Sequence, residues 1–199
     1  LIQQMLMFSR GQKGQAQAID VATCIEQNLA VLGPTLAEGI AIDQDVEPGA
    51  CAVQFDPVQL GQVLLNLCVN ACDAMQGEGR LRLSLRNARI DATECAACRQ
   101  PVDGEFVELC VGDTGPGIEA SVLERMFDPF FSTKPPGKGA GMGLATVHGI
   151  VHEHGGHLLV DTAPGEGTSF RVLLPACPDA ARPTPSRRRS DRPGAARRE

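Results

Sequence analysis

The stretch LGQVLLNLCVNACDAM, residues 60 to 75, limits the possible folds more than any other part of the chain. At about 100° per residue, Leu60, Val63, Leu64, Leu67, Ala71 and Ala74 form one apolar face. Leu65, Cys68, Val69 and Cys72 cover the adjoining side. A helix apolar over so much of its circumference has to be covered by other elements. Its polar residues keep to one narrow strip of Gln59, Gln62, Asn66, Asn70 and Asp73, in which Asn66, Asn70 and Asp73 stand at i, i+4 and i+7. Asn and Asp suit a helix interior poorly, because their side chains compete for backbone hydrogen bonds. The strip is either the solvated side of a half-buried helix or a row of oxygen ligands. The second reading suits a hard cation such as magnesium, held between protein and phosphate.

The segments around this helix predict its cover. Asp56-Pro57 opens it, with Asp56 as N-cap and Pro57 at the first position, and it runs to Met75. VATCIEQNLAVL, residues 21 to 32, predicts a second helix stopped by Gly33-Pro34. GIAIDQDV, CAVQF, RLRLSLRN from Arg80, and EFVELCVGD ending at Asp113 read as strands. Residues 143 to 154 are helical, followed by the strands HLLVDT and TSFRVLLP. Four or more strands interleaved with three or four helices predict an α/β sandwich with one layer of each.

The ends differ from this body. LIQQMLMFSR resembles the end of an amphipathic helix entering from outside, as in a piece of a longer protein. Residues 176 to 199 are rich in Arg, Pro and Ala and are expected to be a disordered basic linker. Within a net charge of -6 that tail is positive, so the body is strongly acidic, which argues against a nucleic-acid partner. The absence of Trp and Tyr removes the usual stacking platforms for single strands. No apolar run reaches the roughly 18 residues of a membrane helix. The eight cysteines, with Cys68 and Cys72 inside one helix pattern, suit a reducing cytosol better than a secreted disulfide framework.

Two glycine segments carry further chemistry. VGDTGPGI puts Asp113 at the end of an apolar strand, before Gly115, Pro116 and Gly117. This is either an ordinary turn or a carboxylate aimed into a cavity, where it would suit an exocyclic amine such as that of adenine. DPFFSTKPPGKGAGMGL leads into the helix at 143. It lacks the G-x-x-x-x-G-K-[ST] spacing, and Leu144 stands where G-x-G-x-x-G needs its third glycine. A flexible loop and a lid over phosphate, with Lys134 and Lys138 meeting the charge, both remain open. CAACRQP (95 to 101) lies in a long connection, DATECAACRQPVDG, as a loop detail, half of a metal site or a redox pair. Structural zinc needs four ligands, and no second cysteine pair is present. His148 and His152 at i, i+4 are a geometrically possible metal pair, with a structural or solvated role preferred.

Taken in order, NLCVNACDAM resembles the asparagine box, DTGPGI the first glycine box, FDPFFSTK the phenylalanine box and GKGAGMGL the second glycine box of bacterial sensor histidine kinases. GEGTSF (165 to 170) resembles the turn near the end of their catalytic domain, and MLMFSR the last turns of their dimerisation helix. The resemblance implies a two-layer α/β sandwich, a mixed sheet packed on helices, known as the Bergerat ATP-binding fold. DNA gyrase, a mismatch-repair ATPase and a heat-shock chaperone share it. It implies the end of a dimerisation helix at 1–14, the catalytic domain at 15–175 and the tail at 176–199. By carry-over Asn70 is the magnesium ligand, with Asn66 and Asp73 beside it, and Asp113 reads the adenine amino group, with Gly115 and Gly117 shaping its pocket. Phe127 to Gly143 form the lid. Its Lys134, Lys138, Gly139, Gly141 and Gly143, with Leu144 next in the box, meet the phosphates, and Thr168 adds a hydroxyl.

The implied cofactors are ATP and Mg2+. The implied partners are a dimerisation and phosphoacceptor domain and the receiver domain of a response regulator. The piece is expected to be a cytoplasmic monomer, and the full protein a homodimer compatible with an inner-membrane anchor. Hydrolysing relatives carry a glutamate where Asn66 stands, and an amide is no general base. ATP is therefore expected to be held and hydrolysed slowly, with the γ-phosphoryl passing to a histidine outside this sequence. A module that binds nucleotide or protein without kinase activity is the alternative.

Overall fold

A computed structural model describes residues 15–33, 39–47, 52–135 and 140–177. The elements, in chain order, are β1 (Gln17–Ile19), α1 (Val21–Leu32), β2 (Gly39–Val46), β3 (Val53–Phe55), α2 (Pro57–Ala74), β4 (Glu78–Glu94), β5 (Pro101–Asp113), α3 (Ala120–Leu123), α4 (Gly143–Glu153), β6 (His157–Ala163) and β7 (Gly167–Pro175). β1 and β3 pair in a small antiparallel ladder. The other five form one sheet in the order β2-β4-β5-β7-β6. β2 runs parallel to β4 and the remaining pairs are antiparallel, so the sheet is mixed, as the resemblance implies.

Local chemistry starts both long helices. Asp20 caps α1 by accepting from the Ala22 N–H at 3.0 Å, and Asp56 caps α2 by accepting from the Val58 N–H at 2.8 Å. Alternation builds the core. Leu81, Leu83 and Leu85 of β4 and Val107, Leu109 and Val111 of β5 are buried, together with Leu60, Val63, Leu64 and Leu67 of α2. α2 contacts both α1 and α4, so its apolar circumference is covered as the sequence requires. At Gly61 an added Cβ would lie 2.8 Å from Asn28 Oδ1, so a larger residue there would have to push the Asn28 amide aside where α2 meets α1.

The buried charge of the sheet is Glu108, 1% exposed. Arg86 Nη2 lies 2.6 Å from Glu108 Oε1, and Arg171 Nη2 lies 2.7 Å from Oε2. A carboxylate between two guanidiniums from neighbouring strands has both of its desolvated oxygens satisfied.

Several boundaries differ from the sequence expectation. α2 ends at Ala74, with Met75 as C-cap. β4 starts at Glu78 and continues to Glu94, so the long connection shrinks to residues 95–100 and the rest is hairpin. Ala176 and Cys177, expected in the tail, pair with Val53 and Ala52. The elements β1 and α3 were not anticipated. The expectations for residues 1–14 and 178–199 lie outside the described residues. Among the described residues no helix is long and apolar enough to cross a membrane.

Candidate functional site

The polar strip of α2 draws a positive charge onto itself. Lys134 Nζ, between α3 and α4, lies 2.6 Å from Asp73 Oδ2 and 3.3 Å from Asn70 Oδ1. Two side-chain oxygens one helical turn apart thus converge on one cation. Asn66, the next position on the strip, faces the start of α4. A Cβ added to Gly143 would lie 3.7 Å from Asn66 Oδ1 and 3.6 Å from Asn70 Nδ2. The first turn of α4 and its unpaired N–H groups therefore rest against the same strip. Positive charge on one side and N–H donors on the other make a place for an anion paired with a cation.

The segment before α4 is folded back on itself. The Phe130 N–H donates to the Gly141 carbonyl at 3.0 Å. Gly141 has φ +67, and a Cβ there would lie 2.5 Å from the backbone of Phe130, so glycine is required by conformation and by space. Leu144 is half-buried and packs on the core. Lys138 and Gly139, also expected at the phosphates, lie outside the described residues.

The second half of the site is built by the turn after β5. Asp113 Oδ1 accepts from the Gly115 N–H at 2.8 Å. A Cβ on Gly115 would lie 2.9 Å from that oxygen and 3.2 Å from the Ala74 methyl, so the turn sits directly on the last turn of α2. Asp113 is thereby brought to the end of the helix that carries Asn70 and Asp73, and its charge and that of Asp73 join burial in pushing the Cys72 thiol up. Gly117 has φ +75, and a Cβ there would fall 2.1 Å from the Ala163 carbonyl oxygen.

Thr168 is buried and stands opposite Asp113 in the β5–β7 register. Its hydroxyl is 3.1 Å from that of Thr162, which donates to the Gly167 carbonyl at 2.9 Å. Since Thr162 has one proton and has given it to Gly167, Thr168 is the donor between the two hydroxyls. Thr168 therefore braces the turn beside Asp113. Thr162, which also accepts from the Ile118 N–H at 3.0 Å, is a site residue that sequence reasoning missed. Only register, which pairs it with Thr168, reveals it.

Burial pushes the Asp113 carboxyl above the usual carboxylate range, and the N–H groups of Gly115 and Thr168 offset this only in part. A folded-state pKa above the unfolded value means that the folded chain holds its proton longer. Asp113 therefore costs stability increasingly as pH rises from the unfolded value through the folded one, and the cost is constant above that. Urea denaturation across the acidic range is expected to show Asp113→Asn gaining on wild type as pH rises. A difference independent of pH would contradict the burial of this charge.

Comparison with known proteins yields a consistent picture. The family described as histidine kinase-, DNA gyrase B-, and HSP90-like ATPase matches residues 55–178. The sensor kinase CckA of Brucella abortus (strain 2308) is 38% identical over 177 residues, covering 88% of this chain and 18% of that protein. Among solved structures, the mycobacterial sensor histidine kinase MprB shares 29% identity at a TM-score of 0.63, over 81% of this chain and 97% of that one. Full-length ShkA in complex with AMPPNP shares 27% at a TM-score of 0.66, over 88% of this chain and 35% of that one. The chain spans 18% of the length of CckA and less than half of that of the NtrB kinase/phosphatase of Rhodobacter capsulatus, another relative.

Proposed function

This chain belongs to the histidine kinase-, DNA gyrase B- and HSP90-like ATPase family, and we propose that it is the catalytic ATP-binding part of a sensor histidine kinase. On this reading it presents the γ-phosphoryl of ATP to a histidine on a dimerisation domain, for relay to a response regulator. The observation that carries the reading is the convergence of Asn70 and Asp73 on a single cation beside the first turn of α4, with Asp113 fixed at the end of the same helix.

The residues present fit a magnesium ion, because the strip offers hard oxygen donors and the Lys134 ammonium already marks where they converge. Magnesium on Asn70, with Asp73 beside it, would supply charge neutralisation for the phosphates. The chain's own part is positioning. Asp113 accepts from the adenine amino group, Gly115 and Gly117 keep the base pocket open, and the first N–H groups of α4 face the phosphates. Lys134 exchanges its carboxylate partner for phosphate. Asn66 stands next to Asn70 without a basic oxygen, so water is not activated and hydrolysis stays slow.

Calorimetric titration of the chain with a non-hydrolysable ATP analogue tests this, with and without magnesium. Calorimetry is suited to it because the chain has no tryptophan to report binding. Saturable heat that grows with magnesium is expected. A folded chain that gives none, in either condition, overturns the reading.

A further inference from the structure

The CAACRQP turn has the partners that its sequence lacks. With β4 and β5 extended, Cys95 and Cys98 sit at the tip of the hairpin, where Ala96 N–H donates to the Leu158 carbonyl of β6 at 2.8 Å. Arg99, at φ +62, closes the turn. There the hairpin meets His152 at the end of α4 and His157 at the start of β6. One ligand atom from each of Cys95, Cys98, His152 and His157 lies within 4.8 Å of every other. We infer that these four side chains form a structural zinc site of the Cys2His2 type, separate from the nucleotide site.

Several independent features favour a metal. The spacings, C-x2-C and H-x4-H, are those of structural zinc sites. His152 Nδ1 lies 3.1 Å from the Gly156 carbonyl, which can only accept, so Nδ1 carries the proton. That leaves Nε2 unprotonated, and it stands 4.0 Å from Cys95 Sγ. A backbone carbonyl that fixes the tautomer is the usual outer partner of a zinc histidine. Cys95 Sγ also accepts from the Leu158 N–H at 3.5 Å, as a thiolate would. His157 Nδ1 is buried without a hydrogen-bond partner among the described residues, a need that a metal bonded at that nitrogen would meet. Bonds of about 2.3 Å to sulfur and 2.0–2.1 Å to nitrogen give tetrahedron edges of about 3.3–3.8 Å. The four atoms, within 4.8 Å of one another, therefore need to close by at most about 1–1.5 Å.

With four protein ligands the site is closed to substrate, and its role is to fasten. A pocket of about 350 Å³ bordered by Cys98, His152, Gly156 and His157 gives the ion a way in. The metal would tie the hairpin tip to the far end of α4, whose near end, about 16 Å away by helix rise, faces the Asn66–Asn70 strip. His148, the other partner considered for His152, packs ring to ring with it at 4.6 Å and stays outside the cluster.

The test is metal analysis of the chain purified under reducing conditions without chelator, followed by titration of the metal-free protein with cobalt(II). About one zinc per chain is expected, as is the intense visible spectrum of tetrahedral thiolate-bound cobalt. Cys98→Ser and His157→Ala should each lose the zinc and that spectrum. A strong chelator should lower the melting temperature of wild type by about 5–10 °C, and zinc should restore it. Folded wild type that carries no zinc and gives no tetrahedral cobalt spectrum overturns the inference. So do variants that keep both signals. Should the variants fail to fold, the wild-type cobalt spectrum still decides. None of these readings depends on nucleotide binding.

Discussion

Asp113→Ala is expected to weaken binding of the non-hydrolysable ATP analogue by about 10- to 100-fold, with the far-ultraviolet circular dichroism unchanged. A hydrogen bond to a charged group is worth about 1.5–3 kcal/mol, and every 1.4 kcal/mol is tenfold in affinity. Asp113 has the capacity to make one. Its Oδ1 is engaged by Gly115 at 2.8 Å, but a carboxylate offers about four lone-pair sites. The fold keeps this charge half-buried at a cost, since burial raises its pKa and Asp113→Asn is expected to relieve it. A side chain that destabilises the free domain is readily explained if it is repaid on binding. Alanine removes the acceptor and leaves the backbone of the turn its glycine geometry. A dissociation constant within about threefold of wild type, below the about 1.4 kcal/mol that a tenfold change represents, would show that adenine is read elsewhere. In that case the Asp113–Gly115 bond would be only a turn lock.

How far the sequence disclosed this arrangement depends on the range over which each signal acts. α1 and β2 were read with the observed limits, Val21–Leu32 and Gly39–Val46, because a cap or an alternation of eight residues is a local signal. β1 escaped because three residues carry no period. The end of β4 escaped because residues 91–94 are exposed on both faces, so their strand character comes only from pairing with β5 across an irregularity between Ile90 and Thr93. The strip itself was legible, being set by the 3.6-residue period of one helix. Its contact with Lys134 spans 64 positions and was not. The same holds for Thr162 with Thr168, which only the β6–β7 register brings together. Cys95 and Cys98 showed half of a ligand set. The other half lies more than fifty residues on, brought back by the antiparallel return of β6, and spacing alone could not join the two.

Asn70→Ala tests the other end of the site and is expected to have the larger effect on chemistry. With the phosphoacceptor helices supplied in trans, transfer of the γ-phosphoryl to histidine should fall by about 10²–10³, the scale of several kcal/mol of charge stabilisation. The magnesium dependence of analogue binding should disappear, while binding without magnesium, which rests on Asp113 and the start of α4, changes little. Lys134→Ala separates the two roles of the strip. It removes the ammonium that Asn70 and Asp73 share, and with it the competition of that ammonium for their oxygens. Magnesium should then be recruited at lower concentration, although transfer itself slows if Lys134 meets phosphate during the reaction. If Asn70→Ala and Lys134→Ala had the same effect on magnesium dependence, the strip would be holding the lysine and not the metal. Opposite shifts in the magnesium requirement are the outcome that assigns Asn70 to the ion and Lys134 to the phosphate.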